Sequence, residues 1–231
     1  MLVKNWMNKD IITVDANESM LDGINLLKKH AVLMLPVMRN GELVGVVTDR
    51  DLKRASASDA TTLEVHELLY ILSKIKIKDI MSRPVITVPF DFTLEETAET
   101  LLNQKISSAP VVDHDGQLIG TITQTDLFRA MLSVTGLKKH GVQFAFQLED
   151  RPGSIKEVAD IIRAYGGRIA SIMSSYEQSP EGQRRVYIRM YGVDRDKMAD
   201  LIQEIKAKTT VLYMVDHREN RREIYEAEHS A

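Results

Sequence analysis

The chain of 231 residues has no cysteine. That excludes disulfides, thiolate zinc sites, iron–sulfur clusters and thiol nucleophiles. Long apolar runs are missing too. The longest, Ala31 to Met38, is eight residues and contains Pro36, whereas a membrane span needs about 20. The start, MLVKNWMNKD, lacks the apolar core of a secretory signal, so the sequence reads as cytoplasmic with no membrane partner. Charge of one sign is scarce: Lys plus Arg is 30 against 33 for Asp plus Glu, a formal net of −3. Such a chain has no general pull toward nucleic acid or anionic lipid. The six histidines are scattered without metal-ligand spacing. The Gly-rich phosphate loops and the G-x-S-x-G elbow are absent, and the chain reads as a non-enzyme. His66-Glu67-Leu68-Leu69-Tyr70 begins like a zinc-protease helix, but Tyr70 stands where the second histidine is needed.

What is present is a duplication. Trp6-Met7 followed by Ile11-Ile12-Thr13-Val14 returns as Ile80-Met81 followed by Val85-Ile86-Thr87-Val88, 74 positions on. GELVGVVTDRDL (Gly41 to Leu52) returns as GQLIGTITQTDL (Gly116 to Leu127) at an offset of 75, so one residue is inserted near His114. Each unit predicts β-α-β-β-α. A short strand (Ile11 to Val14; Val85 to Val88) leads to a helix opened by Ser19 or Thr93. A buried strand follows (Leu33 to Met38; Ala109 to Val112), then a turn at Asn40-Gly41 or Asp115-Gly116. A second strand (Leu43 to Thr48; Leu118 to Thr123) and a helix opening at Asp49 or Thr125 complete it. The connector, 58–76, predicts a helix with the stripe Leu68, Leu69, Leu72 and Ile75.

Thr48-x-x-Asp51 and Thr123-x-x-Asp126 are the candidate chemistry. Each Thr ends a strand, and each Asp lies in the first turn of the next helix. A carboxylate accepts two hydrogen bonds from vicinal hydroxyls, as a ribose offers. The Thr hydroxyl and free helix amides suit a phosphate. The same four residues also serve as plain helix caps.

The paired pattern apolar-Gly-apolar-apolar-Thr-x-x-Asp-Leu resembles two CBS motifs forming one pseudo-twofold (Bateman) module, 1–57 and 77–135. The resemblance implies an adenine nucleotide or adenosyl ligand, AMP, ADP or ATP, with S-adenosylmethionine or NAD as alternatives. One site would join Thr48, Arg50 and Asp51 with Val85, Ile86, Thr87, Ser107 and Ser108. The other would join Thr123 and Asp126 with Ile11, Ile12, Thr13, Leu33 and Met34. Basic residues are missing where Ser107-Ser108 and Leu33-Met34 stand, which favours adenosine-like ligands or monophosphates over triphosphates.

After Gly136 the pattern changes to β-α-β-β-α-β over 140–216, the ferredoxin-like split unit, so the fold class is mixed α/β (α+β). Strands are predicted at Val142 to Leu148, Arg168 to Tyr176, Arg184 to Tyr191 and Val211 to Val215. Helices are predicted from Ser154 and over Asp196 to Lys206. The tail, 217–231, is mostly charged and predicts a frayed helix or disordered chain.

Leu148-Glu149-Asp150-Arg151-Pro152-Gly153-Ser154-Ile155 resembles the first loop of ACT domains. The resemblance implies an amino-acid effector held by Asp150 and the amides of Gly153, Ser154 and Ile155, or a purely dimerising unit. A CBS pair followed by an ACT domain resembles the acetoin-utilisation B-type proteins of bacteria. The expectation is a non-catalytic sensor and homodimer acting on an unidentified client enzyme. The rival is an interaction protein with vestigial sites, and a third reading is an enzyme of acetoin metabolism.

Overall fold

A computed structural model describes residues 1–57 and 65–225. It comprises two units, Met1–Phe128 and Arg129–Ala231. The readings for connector residues 58–64 and tail residues 226–231 lie outside the described residues.

The first unit contains the two halves of the duplication as far as Phe128, in the last helix of the second half. The first runs β1 (Val14–Asp15), α1 (Met20–His30), β2 (Met34–Arg39), β3 (Glu42–Thr48) and α2 (Asp49–Ala57). After α3 (Val65–Lys74) and the short α4 (Ile77–Ile80), the second runs β4 (Val88–Pro89), α5 (Leu94–Asn103), β5 (Ser108–Val112), β6 (Leu118–Thr123) and α6 (Gln124–Val134). Each half forms its own three-stranded sheet, parallel between its first two strands and antiparallel between its last two. The first strands are shorter than the sequence implies. Val14 pairs with Val37 and Val88 with Val111. One step back, Thr13 would face Pro36 and Thr87 would face Pro110, and a proline offers no amide to a ladder. Ile11–Thr13 and Val85–Thr87 therefore precede the sheets. In α3, Leu72 is buried but Leu69 is exposed, and Ile75, just after the helix, packs on the core; the side chain of Leu68 is outside the description.

The halves exchange their leading segments. Val3 and Lys4 donate amide hydrogen bonds to the carbonyls of Phe92 and Phe90 in the second half. Ile77 and Lys78 do the same to Glu18 and Ala16 in the first. Each segment then pairs with the opposite sheet's last strand, Asn8 with Thr121 and Ser82 with Val46.

The second unit runs β7 (Val142–Glu149), α7 (Ser154–Ala164), β8 (Arg168–Ser175), β9 (Gln183–Tyr191), α8 (Met198–Lys208), β10 (Thr210–Asp216) and β11 (Arg221–Ile224). The sheet order is β11-β10-β7-β9-β8, antiparallel throughout. Without β11 this is the ferredoxin-like order. Phe144, Phe146, Val186 and Ile188 form one sheet face, covered by Val158 and Ile162 of α7 and Leu201 and Ile205 of α8. Helix α8 begins two residues later than the sequence reading, because a 3₁₀ turn, Arg195–Lys197, precedes it.

The tail reading is corrected: β11 pairs with β10, Asp216 opposite Arg221 and Tyr213 opposite Ile224. The carboxylate of Asp216, buried at the turn, accepts from the amides of Arg218 and Glu219 and from Arg195. Burial raises its pKa, but the bonds from Arg195 and the two amides outweigh it and hold the group below the ordinary Asp value. This stability is present above the unfolded value, about 3.9, and is lost as pH falls through the lowered folded value. We therefore expect the denaturation midpoint, followed by far-UV circular dichroism, to fall more between pH 6 and pH 3 in the native protein than in Asp216→Asn. Equal pH dependence in both would refute the role of this carboxylate.

Candidate functional site

Helix α2 opens on the cleft between the two halves because Thr48 caps it. The Asp51 amide donates to Thr48 Oγ1 (3.4 Å), while Asp51 Oδ2 accepts from the Thr48 amide (3.0 Å) and hydroxyl (2.7 Å). This is a reciprocal capping box. The same device opens α1 (Ser19 with Asp22) and α5 (Thr93 with Glu96). Capping alone therefore does not distinguish Asp51; its surroundings do. Asp51 is buried, and its Oδ1 accepts from Ser82 Oγ and from Arg54, each at 3.2 Å. Ser82 comes from the opposite half, so the acid sits where the halves meet.

A cleft of about 440 Å³ lies there. Thr48, Arg50 and Asp51 line it from one half, and Ile86, Ser107 and Ser108 from the other. Small-molecule sites usually measure roughly 300–1,000 Å³. Val85 and Thr87 flank Ile86 without lining the cleft. Leu33 and Met34, expected beside Thr123, line this cleft. The reason is register: Met34 pairs directly with Thr48 across β2 and β3.

Sequence reasoning missed seven further lining residues, Val46, Asp49, Ser82, Pro84, Lys105, Ile106 and Pro110, of which Ser82 and Lys105 bear on the chemistry. Ser82 follows Met81 as Asn8 follows Met7, and a polar residue at that repeated position was the available signal. Lys105, in the left-handed region (φ 53°) after α5, places a cation at the cleft beside Ser107. Neither Lys105 nor Arg50 has an ion-pair partner among the described residues.

The second Thr–Asp pair repeats the geometry. Asp126 Oδ2 accepts from the Thr123 amide (3.0 Å) and hydroxyl (2.6 Å), and the Asp126 amide donates to Thr123 Oγ1 (3.3 Å). Asp126 is half-buried. Ile11, Ile12 and Thr13 do not line the Thr48 cleft; they follow the Asn8–Thr121 pairing that brings their segment alongside β6.

In the second unit, Gly153 precedes α7 with φ +92°, a conformation that favours glycine. Asp150 Oδ1 lies 3.4 Å from the Tyr176 hydroxyl, which donates to it, and 3.5 Å from Arg184 Nε. Arg184 also donates to Ser154 Oγ at 3.3 Å. Ser154 is buried, and Ile155 packs on the core. Among the described residues no cluster of His, Asp and Glu could hold a metal ion, and no helix is long and apolar enough to cross a membrane.

Two β-α-β-β-α halves that exchange their leading segments and carry a Thr–Asp pair each define a tandem, pseudo-twofold module. The CBS domain model matches residues 3–58 and 77–133, and the chain belongs to the CBS domain family. A CBS domain-containing protein of Dictyostelium discoideum is 30% identical over 134 residues, 58% of this chain and 92% of that protein. The inosine-5'-monophosphate dehydrogenase of Korarchaeum cryptofilum is 34% identical over 125 residues, which are 54% of this chain but only 23% of the enzyme. The CBS-pair protein CBSX2 from Arabidopsis thaliana is 33% identical, with a TM-score of 0.51 over 58% of this chain and 96% of its own. CBSX2 has also been crystallised with AMP (31% identical, TM-score 0.49, covering 58% and 98%).

Proposed function

We propose that the first unit is a non-catalytic sensor whose cleft binds an adenine nucleotide or adenosyl ligand. One observation carries the reading: a buried acid, Asp51, stands at a roomy cleft whose opposite wall is Ile86 with two serines. In this reading Asp51 takes the ribose hydroxyls, the base lies against Ile86, and Ser107, Ser108, Arg50 and Lys105 face the phosphate. Thr123 and Asp126, with Ile11, Ile12 and Thr13, form the second, weaker site. Arg50 and Lys105 are the two cations lining the cleft, which suits AMP better than ATP. Calorimetric titration of the full chain with AMP, ATP, S-adenosylmethionine and NAD tests this, with AMP expected tightest. The sensor reading fails if none of them gives a saturable heat.

A second reading has its own support. Both oxygens of Asp51 already accept hydrogen bonds, from Thr48, Ser82 and Arg54. A site so satisfied also suits a structural cap, leaving an interaction protein with vestigial sites. Ligand-independent assembly in sizing experiments, with no nucleotide heat, favours this second reading.

For the second unit we propose an ACT-type role. The Asp150–Arg184–Ser154 cluster around Gly153 is suited to the ammonium and carboxylate of an amino acid. Strand β8 is a sheet edge with Ile172 and Met173 exposed, which suits pairing into a homodimer. Regulation of a client enzyme, in acetoin utilisation as the domain order suggests, follows from ligand binding two states with unequal affinity.

A further inference from the structure

The second unit holds a cavity of about 310 Å³ that neither proposed ligand uses. It lies at the end of the sheet where β7 begins and β9 finishes. The loop Asp150–Gly153 follows the other end of β7. One wall is Lys139 to Val142, the segment that enters β7. The facing wall is built by Tyr191, the 3₁₀ turn before α8, and Arg218 from the β10–β11 hairpin.

The charge on these walls is one-sided. Lys139, His140, Arg195 and Arg218 line the cavity, and no carboxylate does. Arg195 is committed to Asp216 and Glu219. The Lys139 ammonium lies over the ring of Tyr191, 5.4 Å from its centroid. Neither Lys139 nor the guanidinium of Arg218 has a carboxylate partner among the described residues. Met190 and Met198 add apolar surface.

The entering segment is anchored, so the cavity exists before a ligand arrives. The Thr135 carbonyl accepts from Arg189 Nε (2.8 Å) and from Ser171 Oγ (2.9 Å). The Gly141 carbonyl accepts from the His217 amide at 3.2 Å. Cations held together without counter-charges repel one another, and an anion between them removes that repulsion.

We infer that this cavity binds a small organic oxyanion, a carboxylate or phosphate on a short apolar body. Lys139 and Arg218 clamp the oxygens, and the methionines receive the body. Binding here is separate from the nucleotide cleft and leaves it unchanged. Lys139 and His140 lie in the segment that enters β7, so occupancy stiffens that segment.

The test titrates the full chain, at low salt, with butyrate, butyl phosphate and, as a charge control, butylammonium. Amide NMR shifts of Gly141 and Gly192 report the cavity. At least one anion is expected to saturate, with affinity that weakens as NaCl is raised, and butylammonium is not. Saturation by butyrate alone identifies a carboxylate site, and by butyl phosphate alone a phosphate site. The double variant K139A/R218A is expected to weaken the anion at least tenfold and to leave AMP titration unchanged. If that variant loses the amide pattern of the second unit, the single changes Lys139→Gln and Arg218→Gln replace it, each expected to weaken binding several-fold. The inference is overturned if no anion saturates, if butylammonium binds as well, or if the variants bind like the native protein.

Discussion

Changing Asp51 to alanine removes saturable AMP binding at the Thr48 cleft, whereas changing Asp22 to alanine leaves it intact. The two acids do the same local work. Each sits three residues after its cap, Thr48 or Ser19, and accepts from that residue's amide and hydroxyl. Loss of either box is expected to cost about 0.5–2 kcal/mol of stability, read as a similar drop in thermal midpoint. Only Asp51 lines the cleft. A hydrogen bond to a charged group contributes about 1.5–3 kcal/mol, and about 1.4 kcal/mol is a factor of ten in affinity. Two ribose hydroxyls on Asp51 thus correspond to a loss of roughly a hundredfold or more. Asp22→Ala controls for capping, because a purely structural role predicts parallel effects in both variants. Equal AMP affinity in the two would return Asp51 to the status of a cap.

That pairing of variants is needed because the sequence pattern carries two meanings at once. Thr-x-x-Asp at a strand-to-helix junction is a capping box by local chemistry alone, and the structure contains that box at both Thr48 and Thr123. What lies across from it depends on the other half of the chain, and sequence reasoning reaches that only through the repeat. The repeat itself was legible because strand, turn, strand and capped helix recur with matched residue types. The β-α-β-β-α-β order of the second unit was legible for a similar reason: alternation in Val142 to Leu148 and Arg184 to Tyr191 separates cleanly from the helical spacing of α7. The exchange of leading segments was not. Ser82 meets Asp51 from a position 31 residues away, and no local pattern encodes that. Leu33 and Met34, assigned with Thr123, line the Thr48 cleft, a placement that residue-by-residue transfer did not reach because it ignores that Met34 pairs with Thr48. The tail misled by composition: Arg221, Arg222 and Glu223 read as solvated chain, yet the open edge of β10 and the Asp216 turn hold them in a strand.

The exchange itself has a steric signature that yields the last expected result. Gly45 on β3 and Gly120 on β6 occupy equivalent places in the repeat, and each lies under a methionine from the segment that its sheet receives. A Cβ at Gly45 would lie 2.9 Å from Met81 Cγ and 3.2 Å from Met81 Cβ, with the sulfur closer still. A Cβ at Gly120 would lie 2.7 Å from Met7 Sδ and 3.0 Å from the Asn8 carbonyl oxygen. Met81 cannot simply swing clear: it is buried among Val47, Leu52 and Ile77, and its amide is bonded to the Ile77 carbonyl. Gly45→Ala is therefore expected to destabilise the first unit by about 1–3 kcal/mol through overpacking. Met81→Ala is expected to cost about 2–5 kcal/mol through the cavity it leaves. The double change G45A/M81A places the new methyl in the vacated space, so its cost falls short of the sum by about 0.5–3 kcal/mol. Urea unfolding followed by the fluorescence of Trp6, the single tryptophan, measures all three. The equivalent pair G120A/M7A recovers less, because the Asn8 carbonyl is backbone and stays in place when the methionine is cut back. Additive costs at Gly45 and Met81 would mean that the methionine does not lock the two halves, and that they are held by the backbone hydrogen bonds of the exchanged segments instead.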